Sequence, residues 1–152
     1  MLRLGIMGAL LVTAAGCIVY EDNPDTVYVV DDNDAPVVVY NAAPYVFDAY
    51  SGCYFDRGYR DDIWFFDAWV DDPDGALDVV QVWADVYDDW TGQLIESFEL
   101  YPTQNPQQWY SDWLVSSTWL DCWYDGYSVD IVAYDSFEAW GASTIWPSTY
   151  AW

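Results

Sequence analysis

The chain has 152 residues, of which 54% are hydrophobic and 20% aromatic, so it can form one domain with a core and is not generally disordered. Three basic residues stand against 26 acidic ones, and the formal charge of −23 disfavours nucleic acid and anionic membrane surfaces as partners. The chain contains no histidine and no lysine, which excludes Ser-His-Asp and Cys-His catalysis, histidine-bound zinc and Schiff-base chemistry.

The first 16 residues have the three parts of a signal peptide. Arg3 gives a positive start, residues 4–16 carry no charge, and the run ends in the small residues "AAG". The apolar run is shorter than the ~20 residues that a membrane-spanning helix needs. We therefore expect residues 1–16 to be removed on export, which leaves two arginines against 26 acids, a formal charge of −24.

A cysteine follows this segment directly. The stretch "TAAGC" (13–17) resembles the lipobox of bacterial lipoproteins, although Ala14 stands where leucine is usual. The resemblance implies cleavage after Gly16 and a lipid on Cys17. It also implies a location in the bacterial cell envelope, either at the outer membrane or at the cell surface or periplasmic face. The alternative is a plain secretory signal, with Cys17 paired to another thiol.

Two further cysteines, Cys53 and Cys122, lie in the body of the chain. An exported protein with three cysteines has one left over, and if Cys17 carries lipid the other two remain as a pair. An oxidising compartment allows a disulfide between them to persist. Two free thiols are the alternative.

Residues 17–34 are acidic, with a short apolar patch, and are predicted to form the lipidated N-terminus and an acidic tether. Repulsion between the acids favours an extended chain. One weak strand is predicted at 26–30. The remaining residues, 35–152, are predicted to form a single domain.

The body of the chain shows alternating apolar and polar residues, interrupted by turn signals such as "DPDG" (72–75). Strands are predicted over 63–71, 77–88, 93–101, 109–117, 127–135 and 138–146. The predicted inward faces are Trp64, Phe66, Ala68 and Val70; Val80, Val82, Ala84 and Val86; and Tyr127, Val129, Ile131 and Ala133. About seven short strands with one wet face each indicate an all-β fold, an antiparallel β-sandwich.

Two stretches, "DAWVDDPDGALDVVQVWADVYD" and "YSVDIVAYDSFEAWGASTI", resemble bacterial Ig-like domains over about residues 35–147. The stretch "DGYSV" (125–129) resembles the tyrosine corner of that fold, with Val129 where antibody domains have cysteine. The resemblance implies a single Ig-like sandwich. It implies no particular function.

Three acidic stretches are similar to calcium-binding motifs of cadherins: "DDNDAP" (31–36), "DPD" (72–74) and "AYD" (133–135). The first is one residue shorter than the cadherin linker. The resemblance implies that one end of the sandwich collects the candidate calcium ligands Asp32, Asn33, Asp34, Asp72, Asp74 and Asp135. Calcium takes six to eight oxygen ligands. The alternative is that these aspartates only make turn hydrogen bonds, without a metal.

Exposed aromatic rings are the second candidate site. Trp69 and Trp83 fall on the strand faces opposite the predicted core. Flat exposed rings are used both by glycan-binding platforms and by protein interfaces. The alternative is that a tryptophan-rich core and its loops absorb these rings.

Together these features predict a membrane-anchored exported lipoprotein that displays its domain for adhesion, recognition or envelope structure. The expected partners are the membrane, through the lipid, and a protein or polysaccharide of the envelope, with no nucleic acid. A glycan-binding accessory module that uses exposed Trp and Tyr is the alternative function. No enzymatic activity and no cofactor other than calcium are expected, because the usual catalytic residue types are missing.

Overall fold

A computed structural model of the chain describes residues 17–20, 26–30 and 37–149. The chain divides into two compact units, the first ending at Asn41 and the second beginning at Ala42. None of the described residues belongs to a helix long and apolar enough to cross a membrane.

The first unit contains a three-stranded antiparallel sheet in the order β1-β2-β3. Its strands are β1 (Cys17–Tyr20), β2 (Thr26–Val30) and β3 (Val37–Tyr40). β2 has the bounds predicted for the weak strand. The described parts of the acidic segment are therefore paired strands, and the candidate ligands Asp32, Asn33 and Asp34 lie outside the described residues.

The second unit consists of seven antiparallel strands in the order β10-β9-β6-β7-β8-β5-β4. The strands are β4 (Tyr45–Asp56), β5 (Asp61–Asp71), β6 (Val79–Asp88), β7 (Gln93–Pro102), β8 (Gln108–Leu114), β9 (Tyr127–Asp135) and β10 (Trp140–Ile145). A single 3₁₀ turn, Val115–Ser117, follows β8. The predicted all-β, sandwich-like fold of about seven strands is confirmed.

The sheet folds over itself at β7. This strand pairs with β6 along Gln93–Leu100 but with β8 only at Tyr101 and Pro102. The narrow connection allows the ladder β10-β9-β6-β7 to lie across the ladder β8-β5-β4. Beyond β10 the chain returns to β4, where the N–H of Ser148 donates to Ser51 O at 2.9 Å, so the sheet is nearly closed.

The core lies between the two ladders and contains alternate residues of each strand. The predicted inward faces of β5 and β9 are confirmed as buried, together with Val82, Ala84 and Val86 of β6. The prediction for Val80 is wrong, because its side chain is 56% exposed. The pairing of β6 with β9 shifts register between Val79 and Gln81, and this irregularity turns Val79 inward instead.

Tyr127 forms a hydrogen bond with the backbone of the segment that precedes β9. Its hydroxyl accepts the backbone N–H of Asp121 at 3.1 Å, a few residues upstream. The Tyr127 ring is buried and meets Trp64 edge-on at 5.8 Å between centroids. The loop before β9 is therefore tied to the core through one side chain.

Candidate cation site and exposed aromatic face

Three carboxylates meet at one end of the second unit, and we call them the acidic pole: Asp72, Asp78 and Asp135. One oxygen from each lies within 4.8 Å of the others. Asp72 directly follows β5, Asp78 directly precedes β6, and Asp135 ends β9. Because Val79 pairs with Asp135, the antiparallel register places the start of β6 beside the end of β9.

Asp135 is a buried member of the pole, with 2% of its surface exposed. Its Oδ1 accepts the backbone N–H groups of Phe137 and Ala139, both at 2.8 Å. These bonds hold the tight turn from β9 to β10, in which Glu138 adopts a positive φ of 67°. The Asp135 carboxylate is thus fixed by its own turn.

Asp72 is also buried, with 4% of its surface exposed. Its Oδ1 accepts the backbone N–H of Asp74 at 2.7 Å, which forms an Asx turn. Gly75, with a φ of 126°, closes the same turn through a hydrogen bond to Asp72 O at 2.9 Å. The other carboxylate oxygen of Asp72, Oδ2, is buried and has no hydrogen-bond partner.

Asp78 is half-buried and connects the two turns of the pole. Its side chain accepts a short hydrogen bond from the Ser136 hydroxyl. Its backbone carbonyl accepts the N–H of the same serine at 3.0 Å. The β5–β6 turn is therefore joined to the β9–β10 turn at this residue.

The electrostatics of the pole are unfavourable without a counter-charge. Burial raises the pKa of Asp72 above its ordinary value, and the charges of Asp74, Asp78 and Asp135 raise it further; the hydrogen bond from the Asp74 N–H opposes them. Among residues 37–149 the two arginines, Arg57 and Arg60, lie in the β4–β5 turn, at the far end of β5. Within the described part of the chain, no basic side chain therefore lies between these acids.

The structure brings together two of the predicted calcium ligands, Asp72 and Asp135. A third, Asp74, is exposed, and its Oδ2 accepts the N–H of Ala42 at 2.8 Å. Sequence reasoning missed Asp78, which was not among the candidate ligands. The signal that could have found it is the antiparallel register, since the residue before β6 must lie beside the end of β9.

The two predicted aromatic residues do not form one platform. Trp69 lies on β5 and Trp83 on β6, and both point away from the common core, so they are on opposite sides of the sandwich. Trp83 lies between Glu99 and Val132 on the neighbouring strands. Trp69 belongs to a larger group of rings.

That group, which we call the aromatic face, covers the outward side of β4 and β5. It consists of Tyr45, Phe47, Tyr50, Tyr54, Phe65 and Trp69. The ring of Phe47 contacts Trp69 at 6.2 Å and Tyr45 at 6.3 Å between centroids. A second contact joins Tyr54 and Phe65 at 6.1 Å. These contacts form two clusters of rings on the same face.

Carboxylates border the aromatic face. The Tyr50 hydroxyl donates to Asp48 at 2.8 Å, and the side-chain amide of Gln108 donates to Asp67 at 3.0 Å. The hydrogen bond to Asp48 raises the pKa of Tyr50. Flat rings beside hydrogen-bond acceptors are suited to ligands with an apolar surface and polar edges.

The predicted pairing of Cys53 with Cys122 is present as a disulfide, with 5.7 Å between the Cα atoms. Cys53 lies on β4, and Cys122 lies in the segment before β9. The two residues are 69 positions apart. The bridge therefore joins an outer strand of the sheet to a long connection.

No protein-family model, curated protein or solved structure matches this chain. The acidic pole, the aromatic face and the disulfide are therefore interpreted from their own contacts.

Proposed function

We propose that this chain is an exported envelope protein anchored by a lipid on Cys17, which displays its second unit for adhesion, recognition or envelope structure. The disulfide carries this proposal. Because Cys53 and Cys122 pair with each other, Cys17 is the cysteine left over among three. A disulfide also suits the oxidising compartments outside the cytosol.

The surface of the second unit supports a role in display rather than in catalysis. Large rings such as Tyr59, Trp119 and Trp146 are exposed on the second unit and are available for contact with a partner. The chain has neither histidine nor lysine to serve as a general base. Its partner is a protein or polysaccharide of the envelope.

The anchor is tested by comparing the chain with its Cys17→Ser variant in cells fed a labelled fatty acid. We expect the unaltered chain to carry the label and to sediment with membranes, and the variant to lose both properties. The double variant Cys53→Ser/Cys122→Ser is the matched control and should keep the label. An unlabelled chain, or a Cys17→Ser variant that is labelled and sediments as before, would contradict the proposal.

A glycan-binding role is the second candidate, and the aromatic face favours it. The rings of Tyr45, Phe47 and Trp69 form a contiguous cluster in which neighbouring rings are tilted by 53° and 55°, and Asp48 and Asp67 lie next to it. Sugar rings place their apolar faces on aromatic rings and their hydroxyls on carboxylates. Trp83, on the opposite side, is predicted to take no part.

This candidate is tested by titrating the chain with a panel of envelope polysaccharides while tryptophan fluorescence is recorded. We expect saturable binding that Trp69→Ala weakens at least roughly tenfold, the equivalent of about 1.4 kcal/mol. Trp83→Ala is the matched control, because it removes the same ring from the other side. Equal loss in both variants, or no response to any polysaccharide, would exclude the aromatic face as the glycan site.

A further inference from the structure

One oxygen at the acidic pole has no partner. Oδ2 of Asp72 is buried and accepts no hydrogen bond, while Oδ1 of the same residue is satisfied by the Asp74 N–H. Leaving a buried polar atom unpaired costs about 1–3 kcal/mol, and more when the group is charged. Such an atom needs a proton, a water molecule or a cation.

The neighbours of this oxygen are themselves acidic. Asp78 and Asp135 each bring a carboxylate oxygen within 4.8 Å of Asp72. Three negative charges at this distance repel one another, and the burial of two of them weakens screening by water. A divalent cation bound among the three carboxylates would offset their repulsion and would also coordinate the unpaired Oδ2 of Asp72.

We propose that Asp72, Asp78 and Asp135 form a calcium site that clamps the β5–β6 turn to the β9–β10 turn. All three ligands are carboxylates, which suit hard cations rather than zinc or copper. Calcium tolerates irregular coordination, whereas magnesium requires a nearly ideal octahedron. The site does not depend on the lipid anchor, so it stands or falls separately from the proposed function.

The pole reaches solvent at Asp78, its half-buried member, whereas Asp72 and Asp135 are buried. A shallow depression lined by Asp74, Gly75, Leu77, Asp78 and Phe137 opens beside it. This depression provides an entry path and room for water molecules to complete the coordination of the ion. Asp74, on its rim, adds negative charge that raises the local concentration of cations.

Hydrogen bonds already join the β5–β6 turn to the β9–β10 turn, and a bound ion would add to this connection. Ser136 joins the two turns through both its hydroxyl and its N–H, each donated to Asp78. Oδ1 of Asp135 and Oδ1 of Asp72 are held by backbone N–H groups, so these carboxylates are oriented before an ion arrives. Pre-organised ligands reduce the entropy that binding must cost.

The test uses the purified full chain, with calcium binding measured by titration calorimetry and the melting temperature measured in calcium, in magnesium and in chelator at equal ionic strength. We expect one calcium per chain, bound more tightly than magnesium. At a hundredfold excess over the dissociation constant the melting temperature should rise on the order of 10 °C. An equal melting temperature in calcium and chelator, with no binding heat, would overturn the proposal.

Variants locate the site. Asp72→Asn and Asp135→Asn preserve side-chain shape and should abolish both the binding heat and the calcium-dependent shift. Asp78→Asn, at a half-exposed position, is the further variant that keeps the test valid if a buried substitution prevents folding. Asp89→Asn removes an equal charge from an exposed turn at the other end of β6 and should bind as the unaltered chain does. Undiminished binding by a folded Asp78→Asn or Asp72→Asn variant, or equal loss in Asp89→Asn, would refute the site.

Discussion

The substitution Asp72→Asn should change the stability of the chain in opposite directions with and without calcium. Burial and the charges of Asp74, Asp78 and Asp135 raise the pKa of Asp72, so its ionisation opposes folding when no cation is present. We expect Asp72→Asn to be more stable than the unaltered chain in chelator at neutral pH, because the variant has no carboxylate to ionise in this buried, acidic surrounding. In saturating calcium the order should reverse, because the variant lacks a ligand.

The pH dependence of this difference follows from its sign. Because the pKa of Asp72 is raised in the folded state, folding favours its protonated form. The stability from this form is fully present below the unfolded pKa and is lost as the pH rises through the folded pKa. In chelator, the advantage of Asp72→Asn over the unaltered chain should therefore shrink on acidification. Urea unfolding at neutral and at mildly acidic pH measures it. An Asp72→Asn variant that is less stable in chelator at neutral pH would contradict this reasoning.

The pKa of Asp88, which is paired with Tyr124, is shifted in the direction opposite to that of Asp72. The Tyr124 hydroxyl donates to Asp88 Oδ2 at 2.8 Å, and this bond, followed by those from Thr91, lowers the pKa of Asp88. The same bond raises the pKa of Tyr124 to about 12. The stability that Asp88 contributes is present above its unfolded pKa and is lost as pH falls through the lowered value.

We expect Tyr124→Phe to raise the pKa of Asp88 and to destabilise the chain at neutral pH, with a difference that shrinks in acid. Carboxyl resonances followed by NMR give the pKa, and urea unfolding gives the stability. Tyr59→Phe, in an exposed turn, is the control and should change neither. An unchanged Asp88 titration in Tyr124→Phe would rule out the hydrogen bond as the cause.

Single residues of the site were only partly predictable from sequence. Asp72 and Asp135 were candidate ligands because "DPD" (72–74) and "AYD" (133–135) resemble cadherin motifs. Asp78 was not, because the predicted strand 77–88 began two residues before β6 and so placed Asp78 inside a strand rather than at the turn before it. The prediction that Val80 is buried was wrong for a related reason. The register shift next to Val80 cannot be recognised from the pattern of apolar residues.

At the scale of elements, strands with one buried and one wet face were predicted well. β9 has the predicted bounds, and β5, β6, β7 and β10 differ from the prediction by at most two residues at either end. β4 was not predicted. Its outward aromatic rings make both faces look apolar, it contains Ser51 and Gly52, and its register shifts between Val46 and Asp48.

The meeting of β10 with the start of β4 depends on a glycine. A Cβ added at Gly141 would lie 2.0 Å from the backbone oxygen of Pro44, a group that cannot rotate away. We expect Gly141→Ala to separate these elements and to cost about 1–3 kcal/mol of unfolding free energy, measured by urea unfolding. The control is Gly58→Ala, where the nearest atom is the mobile carboxylate of Asp56 at 3.0 Å. Equal stability of the two variants would show that the close approach is not required.

At the scale of the whole molecule, the disulfide links two parts of the chain that are distant in sequence. Its ends are 69 positions apart, so the chain-entropy relation assigns it roughly 4 kcal/mol of stability. We expect reduction to lower the urea midpoint accordingly, and to leave the Cys53→Ala/Cys122→Ala variant unchanged. A reduced chain as stable as the oxidised one would contradict a stabilising role.

The overall acidity has a separate consequence for the whole molecule. The −24 expected after removal of residues 1–16 makes the folded chain repel itself, and added salt should relieve part of this repulsion. Every comparison between calcium and chelator therefore has to be made at equal ionic strength. An effect of calcium that remains under that condition reports a site rather than general screening.

The lipid anchor is tested most directly by the intact mass of the protein extracted from membranes. We predict a chain that begins at Cys17, carries acyl groups on that residue and is lighter by two hydrogens because Cys53 and Cys122 are joined. A mass that still includes residues 1–16, or that shows Cys17 without lipid, would contradict the account.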